Sequence, residues 1–461
     1  MTTPEQDLAA SAVERVTAAL RGAEVEVSAR RDRLALTRFA NSVIHQNVGE
    51  DVTFVGMRIH YSGRTASGSA TVIDDAGLQA LVERAVDAVT VAPKDPRWPG
   101  LAPAAKSHDT PPVDPRSATA SPAARAAIVR AFVDGAEGLE TAGYCRTNHW
   151  SSAFANSGGQ TVTGEAGECS LSGIARQAGA DGVARDFPIS LAELDGAVLG
   201  SRAASKARAW AEPDELAAGR YEVVLEPTAV ADILEALAEA GFNGKAVNEH
   251  LSFVRVGEDQ FDPAITLVDD PLAVGIGYDG EGTPHERLVL IDRGTSVSLT
   301  HDRRSAAEAG ETTTGHNVDW TPWGPHARHL GLLPSGDGND TASEVDGPVA
   351  DSSVAELVSG VERGILVSDF WYTRMLDPRT LAITGLTRNG VWLIENGGVT
   401  RPLRNLRFTQ SYAQALMPGN VRAVGRTVTA VPGDTYTATS PRWSCPALHL
   451  GSWNFTGGAS G

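Results

Sequence analysis

Eleven histidines, at positions 45, 60, 108, 149, 250, 285, 301, 316, 326, 329 and 449, are the side chains best suited to hold a metal or move a proton. A zinc site on a helix sets two imidazoles four or five residues apart on one face, with a glutamate beside the first as general base. No pair here has that spacing. His326 and His329 are three apart, but Pro322, Gly324 and Pro325 precede them and argue against a long helix through both. Glu249-His250 and His285-Glu286 are adjacent pairs with no second histidine in range. Surface or strand positions account for all eleven, so local pattern alone gives no metal site. Spacing leaves one alternative open, a site assembled by folding from distant residues such as His250, His316 and His329.

Two carboxylate pairs, Asp269-Asp270 and Asp279/Glu281, could supply a general acid and base. Neighbours on a strand point to opposite faces, so Asp269 and Asp270 are no geometric dyad, and Asp270-Pro271 reads as a turn opener. The G-x-G-x-x-G at 275–280 follows an apolar run, as a dinucleotide loop would, but Glu281-Gly282-Thr283-Pro284 cannot open the required helix. The expectation is a glycine-rich turn between strands. No Gly-x-Ser-x-Gly elbow is present. Cys145, Cys169 and Cys445 form no Cys-x-x-Cys pair, and small packed thiols in a reducing compartment are expected. The polar, acidic stretch 332–350 reads as a loop, and its 337–340 segment lacks the ligand spacing of a calcium loop.

The elements that must position these residues divide the 461-residue chain, which is too long for one compact core. Thr3 can cap a first helix that Pro4 opens, with Ala9, Val13, Val16 and Leu20 at helical spacing before Gly22. Alternating segments at 25–29, 34–39, 43–48 and 52–61 read as strands, with breaks at Arg31-Asp32, Asn41-Ser42, Gly49-Glu50 and Ser62-Gly63. A second helix is expected at 76–91. Eight prolines between 93 and 122 then mark a connector. Beyond it come a helix at 122–138, β-like stretches at 143–184, a helix at 190–211, a strand at 222–225 and a helix from Glu226-Pro227. Short strands and frequent glycines fill the rest. The fold class expected is α+β: an amino-terminal α+β unit at 1–92, a connector at 93–121, a central α+β unit at 122–218 and a large, mostly β domain at 219–461.

Charge narrows the partners. With 39 Lys and Arg against 57 Asp and Glu, the net charge of −18 argues against nucleic acid or an anionic membrane. No stretch approaches 18 consecutive apolar residues, and the first residues lack the apolar core of a secretory signal. A cytoplasmic location is the expectation.

Longer blocks carry a resemblance. LALTRFANSVIHQNVG at 34–49, Gly257-Glu258, TLVDDP at 266–271, YDGEGTP at 278–284 and LVLIDRG at 288–294 come first. Ser305-Ala306, TTGHN at 313–317, GILV at 364–367, VWLIENG at 391–397, residues 446–450 and Gly457-Gly458 follow. As an ordered set over most of the chain, they resemble the TldD/PmbA family. That resemblance implies a cytoplasmic two-subunit zinc metallopeptidase, TldD with TldE/PmbA, that cleaves unfolded or extended peptides, including precursors of modified peptides. TldD-type subunits carry His-Glu-x-x-x-His on the helix before the Gly-Glu block, and a cysteine near the carboxyl end completes their metal site. The corresponding segment here, AVADILEALAEAG at 229–241, has no histidine. Glu235 and Glu239 have no imidazole beside them, and Cys445 lies closer to the terminus than such a ligand would.

The departure points to the TldE/PmbA side: no catalytic residue and no metal ligand in this chain, with zinc in a TldD-like partner subunit of a heterodimer. Extended peptide is the expected substrate, held by strand addition to a sheet edge. Thr314, Gly315 and His316 are the candidates for a cavity-lining turn. The alternative is a homodimeric, non-enzymatic peptide-binding modulator of the same fold.

Overall fold

The computed structural model describes residues 2–177, 180–273, 275–318, 323–336, 347–349, 351–432 and 441–458. The calcium-like segment at 337–340 and most of the acidic loop around it lie outside the described residues.

Six antiparallel strands form the first sheet: β1 (Glu24–Ala40), β2 (Val43–Tyr61), β3 (Arg64–Ala70), β4 (Glu140–Asn156), β5 (Thr161–Gln177) and β6 (Ala180–Asp186). Their order is β3-β2-β1-β4-β5-β6, so strands from either side of the proline-rich stretch share one sheet through the β1–β4 pairing. The breaks expected at Arg31-Asp32 and Gly49-Glu50 do not interrupt β1 and β2. The ladder pairs Arg31 with Thr53 and Leu34 with Glu50, and Arg31 grips Asp51 with two hydrogen bonds of 2.7 and 2.6 Å. Cross-strand pairing overrides a local polar dipeptide.

Side-chain alternation gives this sheet two unlike faces. Val25, Val27, Ala29, Val55, Met57 and Ile59 point to one face and are buried against the helices Pro4–Ala19 and Asp75–Val91. The first helix starts at Thr3, whose hydroxyl accepts the Gln6 N–H while the Gln6 side chain returns to the Thr3 N–H, a reciprocal capping box. Farther along the same face, Cys145, Cys169 and Leu171 pack under Pro122–Gly135 and Gly196–Ala209. That last helix starts later than residue 190 because Asp195 caps it, accepting from the N–H groups of Ala197 and Val198. The other face carries Glu26, Ser28, Arg30, Trp150, Ser152 and Glu168, and the carboxyl-terminal region covers it.

That region is strand-rich, and the chain is α+β. After β7 (Gly219–Leu225) and the helix Pro227–Ala236 comes β8 (Leu267–Asp269), central in a six-stranded sheet with Leu288–Asp292 and Leu330–Leu332 beside it. In a separate seven-stranded sheet, β7 lies between Arg363–Asp377 and Leu448–Gly458. Pairing of Arg363–Asp377 with Ala382–Glu395 joins five of its strands into a closed ring, which removes free edges there. The helix Pro227–Ala236 fills the core beside this sheet, with Ala229, Val230, Ile233 and Leu234 buried. Among the described residues, no helix is long and apolar enough to cross a membrane.

The proline-rich connector is ordered. Trp98 stacks on His60 with ring centroids 4.8 Å apart and donates to Glu24, and the carbonyl of buried Ala102 accepts from Asn156. It straps the first sheet to the carboxyl-terminal region, where Arg304 pairs with Asp95 at 2.6 Å.

Candidate functional site

A cavity of about 130 Å3 lies between the polar face of the first sheet and the carboxyl-terminal region. Ser28, Arg30, Trp150, Ser152 and Glu168 form the sheet side. Asp269, Tyr278, His285, His316, His326, His329 and Arg442 form the opposite wall. The two sides are fastened at the rim: Ser152 Oγ and Tyr278 Oη are 2.6 Å apart, and Gln160 donates to the Gly282 carbonyl at 2.6 Å. Deeper in the interface, Arg58 of β2 bridges Glu26 and Glu281, its Nη2 lying 2.8 Å from Glu281 Oε1.

Asp269 organises the histidines. It ends β8, is fully buried, and spends both oxygens: Oδ1 accepts the His329 N–H and Oδ2 accepts from His316 Nε2, each at 2.8 Å. Burial alone would raise its carboxyl, but the His316 contact and the His329 N–H carry it below the usual carboxylate range. With Nε2 held by Asp269, the His316 ring is fixed at its other nitrogen too: Nδ1 lies 2.8 Å from the Thr314 carbonyl and 2.9 Å from the Thr314 hydroxyl. Gly315, at φ +69°, makes the tight turn between them, and a Cβ there would meet the Pro284 carbonyl at 2.2 Å.

His285 lies edge-on to His316, with centroids 5.7 Å apart. Burial, then the neighbouring His316, pushes His285 down to about 3. Burial pushes His326 and His329 down to about 4, with Arg328 adding to the fall in both. These three rings are therefore neutral at pH 7. Opposite them, burial raises Glu168 to about 7 although Arg146 holds it at 2.6 Å. Asp279 is raised by burial and by Glu281, while its oxygens accept the N–H groups of Glu281, Thr283 and Asn317.

The cavity unites residues that the sequence reading kept apart. His316 lines it, whereas Thr314 and Gly315 form the turn that holds His316. His316 and His329 meet on Asp269, but His250 is exposed after a short helix and does not join them. Asp269, read only as no dyad with Asp270, is the anchor of the wall. Turn chemistry at 279–283 is as expected: Asp279 accepts from Thr283 N–H, and Gly282 at φ +72° lies against the Phe154 ring. No sequence signal marked His285, His326 or Arg442 as neighbours, because they come from separate loops and strands.

The segment at 229–241 is a different environment. Tyr412 and Thr373 hydrogen-bond Asp232 there, and burial raises that carboxyl to about 6. Cys445 is fully buried, its thiol donates to the Pro227 carbonyl, and burial pushes it upward. Neither the helix nor this thiol fits a zinc ion, because no imidazole is present and the thiol is held neutral. Among the described residues, no three His, Cys, Asp or Glu side chains converge to hold a metal.

Comparisons with known proteins agree with the architecture. Residues 218–457 match the model of the PmbA/TldA metallopeptidase C-terminal domain, and residues 25–89 match PmbA/TldA metallopeptidase domain 1. Two archaeal proteins align over short stretches. An uncharacterised protein of Methanocaldococcus jannaschii is 31% identical over 100 residues, 20% of this chain and 24% of that protein. A metalloprotease of Methanothermobacter thermautotrophicus is 28% identical over 127 residues, 26% of this chain and 27% of that one. The chain thus spans about a quarter of the length of these curated relatives. TldE from Thermococcus kodakarensis superposes with a TM-score of 0.82 at 17% identity, covering 98% of this chain and 100% of that one. A protein of Thermotoga maritima described as a candidate modulator of a DNA gyrase gives 0.81 at 18% identity, over 97% and 100%. At these identities the two structures show a shared fold.

Proposed function

The chain belongs to the TldD/PmbA metallopeptidase family, and from that premise we propose that it is the TldE/PmbA-like subunit of a heterodimeric zinc metallopeptidase, cytoplasmic and without metal of its own. The observation that carries this reading is the helix Pro227–Ala236 with its continuation Leu237–Gly241. Where the resemblance implies a metal motif, this segment has no histidine, and Ala229, Val230, Ile233, Leu234 and Leu237 are at most 1% exposed. A carboxylate without imidazole or thiolate partners holds zinc poorly. The role left to this chain is to complete the chamber around the partner's zinc and to hold extended peptide, reading backbone more than side chains. Of the expected Thr314–His316 turn, His316 is the residue that lines the cavity.

Co-expression with a homologous chain carrying His-Glu-x-x-x-His tests this. The expected result is a stable two-chain complex that hydrolyses unfolded peptide, while the isolated chain holds no stoichiometric zinc and cleaves nothing. Chelator-sensitive hydrolysis by the isolated chain, with one zinc per chain, overturns the reading. A strict homodimer that ignores the co-expressed chain overturns it in favour of a non-enzymatic modulator.

A further inference from the structure

The charges around the cavity are unevenly satisfied. Each carboxylate on its wall is already engaged: Glu168 by Arg146, Asp269 by His316 and His329, and Asp279 by three backbone N–H groups. Arg30 is paired with Asp32 at 3.0 Å. Arg442 differs. Its guanidinium lies 5.3 Å over the Phe187 ring and makes no ion pair among the described residues. It lines the cavity at the edge of the strand Arg442–Cys445, whose first N–H is tied to the Arg328 carbonyl at 2.7 Å. Across the wall, His329 Nδ1 is buried with no hydrogen-bond partner. A desolvated cation and neutral imidazoles, in a chain of net charge −18, are a set of donors awaiting an acceptor.

We propose that this cavity is a carboxylate-binding subsite, in which Arg442 supplies the charge and the ring N–H groups of His285, His326 and His329 supply further donors to a carboxylate of an extended peptide. The proposal deepens the peptide-holding role and rests on it for the source of the carboxylate. Drug-sized ligand pockets run to roughly 300–1,000 Å3, so about 130 Å3 suits one end group or one acidic side chain. The apolar part of the wall, Trp150 and Phe187, excludes water and strengthens the charge-assisted bonds. Neutral histidines suit this task better than charged ones. They donate without requiring several like charges to be buried together beside Arg442.

Calorimetric titration of the full chain at pH 7.5 tests the proposal with three short unstructured alanine-serine peptides. One ends in a free carboxylate, one is amidated, and one is amidated with an internal glutamate. The free acid is expected to bind at least about tenfold more tightly than the plain amide, as loss of a charge-assisted bond requires. Restored affinity in the glutamate peptide identifies a side-chain carboxylate as ligand, and unrestored affinity identifies the chain terminus. Arg442→Gln should erase the difference between acid and amide, and Arg442→Lys should keep part of it, with melting temperature checking the fold of both. Equal binding of acid and amide, no binding of either, or an undiminished difference in Arg442→Gln overturns the proposal. Those results leave complex formation with a catalytic subunit untouched. Loss of that complex with the acid–amide difference intact instead fails the subunit reading alone.

Discussion

The helix Pro227–Ala236 and the cavity around Asp269 belong to the same carboxyl-terminal region and are built from opposite materials. The helix presents Ala, Val, Ile and Leu to the core, and its carboxylate Asp232 is raised to about 6 by burial while the Tyr412 and Thr373 hydroxyls, donating to it, oppose that rise. The cavity gathers four histidines, two aspartates, a glutamate and arginines between the polar sheet face and the carboxyl-terminal region. Where the family resemblance implies metal chemistry the chain packs like a core, and its imidazoles assemble elsewhere, where among the described residues no three ligand side chains converge to hold a metal. The difference teaches that histidine content and metal capacity are separate properties. A ring becomes a ligand only when its neighbours leave a nitrogen free and aimed at a common point.

Three measurements would break or sharpen that contrast. Asp269→Ala removes the acceptor of both His316 and the His329 N–H, and leaves buried donors unmatched. Its expected cost is about 3–5 kcal/mol by denaturant unfolding, as for breaking a buried pair. A cost near zero would make the wall an ornament of the fold. Leu234→Ala opens a cavity in the helix core and should cost about 2–5 kcal/mol with no change in metal content. A metal-dependent stability in either protein would erase the distinction between the two regions.

The third measurement concerns acid. His285, His326 and His329 have folded values depressed to about 3, 4 and 4, against 6.5 for the free ring. The unfolded chain therefore binds more protons between those limits. The stability these rings contribute is fully present above pH 6.5 and is lost as pH falls toward 4. Glu26 and Glu168, both raised to about 7, act with the opposite sign, losing stability as pH rises from 4.5 to 7. The informative quantity is thus the difference between proteins. A His326→Gln/His329→Gln variant should lose fewer degrees of melting temperature than the parent between pH 7 and pH 4.5. Equal slopes would place both rings in a solvated, ordinary environment.

Part of this was legible early. Thr3, Pro4 and the apolar spacing marked the first helix, and the buried Ala9 and Val16 lie on its inner side. Leu78, Leu81, Val82, Ala85 and Val89 did the same for Asp75–Val91. Alternation located the strands of the first sheet but broke them at polar dipeptides, because a ladder formed with a distant partner is invisible to a local reading. The three cysteines, expected to be small packed side chains, are fully buried.

The sequence by itself determined the helices that open at Pro4, Pro122 and Pro227 and the one ending at Val91, that the chain is α+β, and that the segment at 229–241 has no imidazole to offer a metal. Those properties follow from local periodicity and residue identity, which are written in neighbouring positions. Tertiary structure decided that the polar face of the first sheet is covered rather than solvated, and that Asp269 gathers His316 and His329 from 47 and 60 residues away. It also placed Arg442 opposite Glu168, across a cavity made by two regions of the chain. Alternation reveals that a strand has two faces. What lies against the second face depends on contacts between distant segments, and no spacing along the chain encodes them.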